Sequence, residues 1–289
     1  MQWIDQIAIQ KRTVSGFIDF MTSHDSFIWS TNQNLLQKWS SDHSQPIAEI
    51  EVPQAAGIPV YALGAIWVAS LTNNSIYKID AETNQLLAVV PTGLADQTGE
   101  FSLASSEDAV WVVSSEGKVA KIDTNLNQIV AYIDVLTYSY NLSYAANAVW
   151  LTNTQNASVQ RIDPILNQVT HTIPVDDTPW FLSATECYVW TLNQTHGTVS
   201  KIDTHSFQVI ATIQLPELAK GDGGDIFANQ DRVWVRTTHL LLIEIDAHSH
   251  QIIRQIQHTE VTGSGAVMQC KDQLWITAHD IDTVWLLNI

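Results

Sequence analysis

The sequence predicts an all-β fold: a seven-bladed β-propeller of four-stranded blades. It forms one domain over 1–289, with the N-terminal strand acting as outer strand of the last blade. Three observations predict it. A Trp behind a short apolar run recurs at Phe-Ile-Trp29, Ala-Ile-Trp67, Ala-Val-Trp111, Ala-Val-Trp150, Tyr-Val-Trp190, Arg-Val-Trp234 and Gln-Leu-Trp275. Its spacings are 38, 44, 39, 40, 44 and 41 residues, the period of a propeller blade. Between these motifs lie short runs rich in Val, Ile, Thr and Trp, bounded by Asn, Asp, Ser and Gly, with no sustained helical period.

Each repeat reads as four strands, A to D, from the centre outward. Strand A precedes the Trp motif, as in 101–104 and 181–184, and strand B holds the Trp. Strand C ends in Ile-Asp at Asp80, Asp123, Asp163, Asp203 and Asp246, with Asp42 taken as its counterpart in the first repeat. Strand D opens five residues later at Gln85, Gln128, Gln168, Gln208 and Gln251, and runs through 128–133 or 208–213. An Asp at a strand end accepts hydrogen bonds from the following turn, so these acids read as turn formers rather than a catalytic array. Lys38, Lys78, Lys121, Arg161 and Lys201 share one phase on strand C and read as solvated outer surface.

The last repeat stops at Val284-Trp-Leu-Leu-Asn-Ile289, one strand short. The segment 2–9 aligns with the strand D sequences beginning at Gln251 and Gln128, which predicts that it supplies the missing strand and covers an open edge. Each repeat Trp is expected to pack between adjacent sheets. Trp3, Trp39 and Trp285 fall in further strands, and Trp180 remains in a loop.

Composition narrows the partners. Thirteen Lys and Arg stand against 30 Asp and Glu, a net charge of −17. No basic run offsets it, so nucleic acid and anionic membrane are excluded as partners, and a cationic or neutral partner is favoured. Cys187 and Cys270 lie outside any metal or redox spacing and read as buried free thiols. No run is long enough to span a membrane, and the first residues lack a signal pattern. That predicts a cytoplasmic protein if Met1 is the native start, and a periplasmic or secreted one if a signal was removed.

The repeats Val149-Trp-Leu-Thr-Asn153 with Val159-Gln-Arg-Ile-Asp163, and Val189-Trp-Thr-Leu-Asn193 with Val199-Ser-Lys-Ile-Asp203, resemble the bacterial YVTN and virginiamycin B lyase-like seven-bladed propellers. The resemblance covers nearly the whole chain and rests on motifs that build the repeat. It implies, for a lyase of this group, a His and a Glu with Mg²⁺ on the loop face. Glu100 with His239 or His196 supplies those residue types, although the surrounding segments do not match. The group's Gly-Pro-rich approaches to the inner strands are reduced to Pro59 and Pro179. Lactonase propellers imply a Ca²⁺ site of Glu, Asn and Asp, which Asp19, Asn141 and Asp225 match by type alone. Asp80-Ala-Glu-Thr83-Asn84 stops short of the quinone-docking motif, and no nucleophile elbow is present.

The expected site is the loop face, where strand D leads to the next strand A and strand B to strand C. Lys11, Arg12, Asp96, Glu100, Tyr138, Tyr140, Asn141, Tyr144, Asp176, Asp177, Trp180, Lys220-Gly-Asp-Gly-Gly-Asp225 and Thr262-Gly-Ser-Gly265 belong to the first set of loops. Asn153, Asn193, His196, Arg236, His239 and His279 belong to the second. Eight residues before the Trp, Leu103, Leu142, Leu182, Ile226 and Val267 read as core; nine before, Ser102, Asn141, Phe181, Asp225 and Ala266 face the channel. Asp19 fits that phase if the first repeat carries one extra residue. Metal is not expected: the Gly-rich stretch lacks the ligand alternation of a calcium loop, and loop histidines are commonly solvated.

The first function expected is a non-catalytic binding or scaffolding propeller holding a peptide, partner protein or small molecule. Tyr140 and Trp180 would stack, Asp19, Asn141 and Asp225 would make polar contacts, and Arg236 would supply a fixed positive charge. The alternative is a metal-assisted lyase or lactone hydrolase acting on a cyclic ester, with Glu100, His239 and Asp225 in the pocket and a divalent cation as cofactor. A purely structural interaction protein comes third.

Overall fold

The computed structural model describes residues 1–95, 101–221, 223–263 and 265–289. They form seven sheets, six of four antiparallel strands and one of four with a parallel fifth at its edge, arranged as blades around a central channel. Blade 4 is typical. Its strands are Ser139–Ala145, Ala148–Asn153, Ser158–Asp163 and Gln168–Pro174, in that order from the channel outward. The outer strand is mostly exposed or half-buried, with Ile173 its one buried residue, while strand B is buried throughout. That is the pattern expected of a strand covered on both faces by neighbouring blades. No helix of the described residues is long and apolar enough to cross a membrane.

The seven repeat tryptophans are at most 2% exposed and pack between sheets. The Asp turns follow the expected chemistry. Asp163 Oδ1 accepts the N–H groups of Ile165 and Leu166, both at 2.9 Å, and Asp123 Oδ1 those of Asn125 and Leu126. Such bonds to the charged form hold Asp80, Asp163, Asp203 and Asp246 below the usual carboxylate range. Each turn ends in a left-handed residue, Asn84, Asn127, Asn167, Phe207 or His250, and three of these are Asn, which tolerates that conformation. In blade 1 the register places Ser40, not Asp42, at this position; Phe27 pairs with Ser40, and Ser40 Oγ accepts the Asp42 N–H at 3.3 Å.

The strand C cations are a correction to the expected solvated surface. Lys38, Lys78 and Lys201 are buried, at 6%, 8% and 3% exposure. Register puts each of the five cations directly opposite its blade's Trp. Lys78 Nζ lies 4.9 Å from the Trp67 ring centre and donates to Thr124 O of the next blade at 2.8 Å. Lys38 reaches Ala81 O, Lys121 reaches Pro164 O and Lys201 reaches Ala247 O in the same way. Arg161 stacks on Trp150 and on Phe207 of the following blade. The charge is spent between blades, on an aromatic face and, for the four lysines, on a turn carbonyl of the next blade.

The ring closes as expected, with an N-terminal strand forming the outer strand of the last blade, but the segment is Gln10–Thr13 rather than 2–9. It pairs antiparallel with Thr283–Asn288. Lys11 and Arg12 are therefore strand residues, not loop residues. Arg12 is 5% exposed, lies 4.6 Å from the Trp275 ring centre and donates to Ser41 O of blade 1 at 2.8 Å. It does for blade 7 what the strand C cations do elsewhere. The preceding residues form a clasp. Gln2–Trp3 adds a parallel fifth strand to blade 6, Ile4–Ile7 makes one helical turn, Ile4 is fully buried, and Asp5 accepts the Trp285 indole N–H at 2.8 Å. Cys270 is buried as expected; Cys187 is exposed, because it lies in an A-to-B turn rather than in a strand.

Two outcomes test this packing. Removing residues 1–13 will open the blade 7 edge and cause aggregation, whereas removing 1–9 will lower the melting temperature yet keep the size-exclusion profile of the intact chain. Equal behaviour of the two truncations would contradict closure by 10–13. Lys78→Met will lower stability by about 1–2 kcal/mol, through loss of the ring contact and an orphaned carbonyl, and an unchanged melting temperature would contradict the buried role.

Candidate functional site

The loops entering strand A and the B-to-C turns meet at one end of the channel. Their positions follow from the repeat. The Asn ending strand B ties the loop before its own inner strand. Asn32 Oδ1 accepts the Phe17 N–H at 2.8 Å and Asn153 Nδ2 donates to Thr137 O at 2.7 Å. In blades 1, 2, 4 and 5 the inner strand leaves register with strand B, between Ile18 and Met21, Ala56 and Val60, Ser139 and Leu142, and Pro179 and Phe181. Such irregularities re-aim side chains. Here they turn the first residues of strand A toward the channel mouth.

Ten residues before each repeat Trp stand Asp19, Gly57, Phe101, Tyr140, Trp180, Gly224 and Gly265. The ring is uneven. Aromatic side chains fill the side of blades 3 to 5, whereas blades 6 and 7 carry glycine. Neither of those glycines tolerates a Cβ, which would stand 2.3 Å from Arg236 O at Gly224 and 2.0 Å from Thr277 O at Gly265. Where the side chains are missing, a cavity of about 240 Å³ opens. It is lined by Asp19, Phe20, Trp180, Phe181, Gln194 and Asp225, with Gly223, Gly224, Gly265 and Ala266 as its floor of small residues.

Asp225 joins two blades. Its Oδ1 accepts its neighbour Ile226 N–H at 2.8 Å, and its Oδ2 accepts Val267 N–H of blade 7 at 2.9 Å. Burial pushes its carboxyl up to about 7 against those two donors; Asp19 raises it further, and Arg236 pulls it down. Arg236 is its cross-strand partner. That guanidinium is fully buried and donates to Thr277 O at 3.1 Å, to Thr262 Oγ1 at 2.7 Å and to Thr237 O. Burial pushes it down to about 10, so it stays charged at neutral pH. Asp19 lies 3.5 Å from His279 Nδ1, and the His279 ring packs against Phe17 at 3.8 Å between centres.

Three of the expected site residues, Asp19, Trp180 and Asp225, meet in this cavity. Tyr140 is 6% exposed and stands behind Trp180, with ring centres 4.3 Å apart, so it supports the wall. Asn141 is 1% exposed and spends its Oδ1 on Leu182 N–H of blade 5 at 2.9 Å and its Nδ2 on Ser102 Oγ at 3.3 Å. It is an inter-blade cap, because the channel edge of each sheet has N–H groups no strand can pair. Arg236 likewise offers no free charge to a ligand; its donors are spent on two backbone carbonyls and the Thr262 hydroxyl. His239 is exposed on a B-to-C turn and does not line the cavity. Asp96, Glu100, Asp222 and Ser264 lie outside the described residues.

Among the described residues no three His, Cys, Asp or Glu side chains gather as a metal-binding group. His196 sits with Asp176 and Asp177, at 3.9 and 3.5 Å, while His279 sits with Asp19. Phe20 and Gln194 are the lining residues that the sequence did not single out. Gln194 comes from a B-to-C turn, and Phe20 and Gly265 matter only once the bulges and the missing Cβ are seen.

No family model matches the sequence, and no curated protein matches it. Solved structures match its fold. Selenomethionine-substituted virginiamycin B lyase from Staphylococcus aureus aligns with a TM-score of 0.79 at 13% identity, covering 97% of this chain and 99% of that one. A catalytically inactive variant of the lyase from the same organism, with quinupristin, gives 0.81 at 14%, covering 97% and 98%. Hydrazine synthase from Kuenenia stuttgartiensis gives 0.77 at 13%, covering 96% and 97%. At these identities the likeness is one of fold, the seven-bladed propeller.

The Asp225 carboxyl generates a pH prediction. Folded, it keeps its proton up to about pH 7; unfolded, it releases it near 3.8. Folding therefore takes up a proton between these values, and the stability this contributes is present below about pH 4 and lost as pH rises to about 7. Asp225→Asn removes that dependence. The melting temperature of the variant minus that of the parent will rise steadily from pH 4.5 to 7.5; a flat difference would contradict the raised value.

Proposed function

We propose that the protein is a non-catalytic binding propeller that holds a small molecule, or the end of a peptide, at the mouth of its channel. The observation that carries this reading is the single cavity in which Asp19, Trp180 and Asp225 converge. An aromatic wall faces two carboxyl groups, and two glycines leave the room between them. A concave, mostly apolar site with a few polar groups is the usual form of a small-molecule site. The net charge of −17 favours approach by cationic or neutral ligands.

A metal-assisted lyase or lactone hydrolase acting on a cyclic ester is the second reading. Its support is the Asp225 carboxyl, which at about 7 could take and return a proton near neutrality. Asp19 and Asp225 are the residues that would hold a divalent cation. The other acid of that reading, Glu100, lies outside the described residues, and His239 stands apart from the cavity.

Thermal shift over a mixed panel of small organic cations, neutral molecules and carboxylates separates the two. Cationic and neutral compounds will raise the melting temperature, by several degrees at about 100-fold excess over Kd. Trp180→Ala and Asp19→Asn will each lose most of the shift. A shift that needs Mg²⁺ or Ca²⁺, vanishes in Asp225→Ala and accompanies ring opening of a macrocyclic lactone by mass spectrometry would favour the lyase and overturn the binding reading.

A further inference from the structure

The cavity holds a donor with nothing to donate to. Gln194 is 3% exposed and lines the wall, and its Nε2 has no hydrogen-bond partner. Its backbone is fixed, because Gln194 N–H donates to Thr178 O at 3.1 Å. An idle amide N–H in a buried place is unfavourable unless something arrives to accept from it. The other side chain of comparable reach, Arg236, is committed to Thr277 O, Thr237 O and Thr262 Oγ1. Among the described residues the cavity wall therefore holds one neutral donor, two carboxyl groups and the aromatic side chains of Trp180, Phe20 and Phe181.

Few small groups answer all three features. A carboxylate ligand meets Asp19 and Asp225, and no Lys or Arg is among the described residues of the lining. A simple amine satisfies the carboxylates and leaves Gln194 idle. An α-ammonium joined to an amide satisfies both, since its carbonyl oxygen lies close to its nitrogen and the apolar side chain on the same carbon can lie on the aromatic wall. Below the mouth the channel continues as an apolar cavity of about 250 Å³, lined by Leu103, Leu142, Leu182, Ile226 and Val267, with Asp225 in the walls of both. A side chain larger than the wall can cover has apolar space to enter.

Resting on the reading of this cavity as a ligand site, we propose that its ligand class is the α-amino amide, free or as the amino terminus of a peptide, with an apolar first side chain. The ammonium sits at Asp19 and Asp225, the first carbonyl accepts from Gln194 Nε2, and the side chain lies against Trp180 and Phe181. A free amino terminus is thereby distinguished from a blocked one, and an amide from an amino acid carboxylate.

Calorimetric titration at neutral pH of the full chain with five probes tests this. Phenylalaninamide and the tripeptide amide Phe-Ala-Ala will bind. N-acetylphenylalaninamide and free phenylalanine will bind at least about 10-fold more weakly, and phenethylamine about 5-fold more weakly than phenylalaninamide. Gln194→Met will erase the gap between phenylalaninamide and phenethylamine and leave phenethylamine unchanged. Asp19→Asn will shrink the gap between phenylalaninamide and its acetylated form. A tripeptide amide binding more tightly than phenylalaninamide identifies a peptide terminus as the source, and equal affinity identifies a free amide. The inference is overturned if the acetylated form binds as well as the free one, or if Gln194→Met weakens both amines equally. If all five fail to bind while another compound stabilises the chain in a Trp180-dependent way, the amino-terminus inference falls and the cavity reading stands. If no compound of any kind binds, both fall.

Discussion

The ring is held by a cation lying on the face of a buried tryptophan while it bonds the next blade. The ring face of an indole between two sheets could be covered by apolar neighbours alone, yet in five blades the residue opposite it is Lys or Arg. Out of water, the ammonium is attracted to the ring face and still has donors to place. The turn after the next blade's Asp supplies the acceptor, as Thr124 O does for Lys78 and Ala247 O for Lys201. This explains why those turns are so uniform. In blades 2, 3, 4 and 6 the turn folds on its own Asp and also presents a carbonyl to the blade before it.

The two departures from the rule show what it is for. In blade 6 the residue opposite Trp234 is Glu244, which takes Arg232 at 3.3 Å and Arg254 at 2.7 Å, so the cations are recruited from neighbouring strands. In blade 7 it is Leu286, and the cation comes instead from the far end of the chain as Arg12. Closing the ring thus adds more than a strand on an open edge. It restores the missing blade-to-blade contact between Trp275 and Ser41 O. With the blades fixed at one end by repetition, the other end is free to vary. There the ring of Asp19, Gly57, Phe101, Tyr140, Trp180, Gly224 and Gly265 breaks the sevenfold pattern and leaves a cavity on one side.

What was legible in the sequence had a local cause. Trp150 and Asp163 recur because a buried sheet and a tight turn each favour one residue type, so repeat count and blade order could be read directly. The strand C lysines could not, since charge alone reads as surface and only their register against Trp shows them buried. The closing strand was misplaced because 2–9 and 10–13 both look like outer strands. The choice is made by Arg12 meeting Trp275, and by Ile4 and Asp5 meeting the core beyond it. In the site, Asp19 and Asp225 were reachable through repeat phase, and Trp180 as the one Trp that no repeat accounts for. Asn141 and Arg236 share the neighbourhood but face other blades, and phase cannot tell a wall from its support. Gln194 carried no signal, because an idle donor exists only in three dimensions.

The central claim is that this cavity captures an α-ammonium with its adjacent carbonyl. A crystal structure of the chain soaked with phenylalaninamide tests it most directly. The ammonium should lie within about 3 Å of an Asp19 or Asp225 oxygen and the carbonyl within about 3 Å of Gln194 Nε2. The ligand bound with its amide toward Asp19 and its nitrogen away from both carboxyl groups, or bound only on the outer faces of the blades, would contradict the claim.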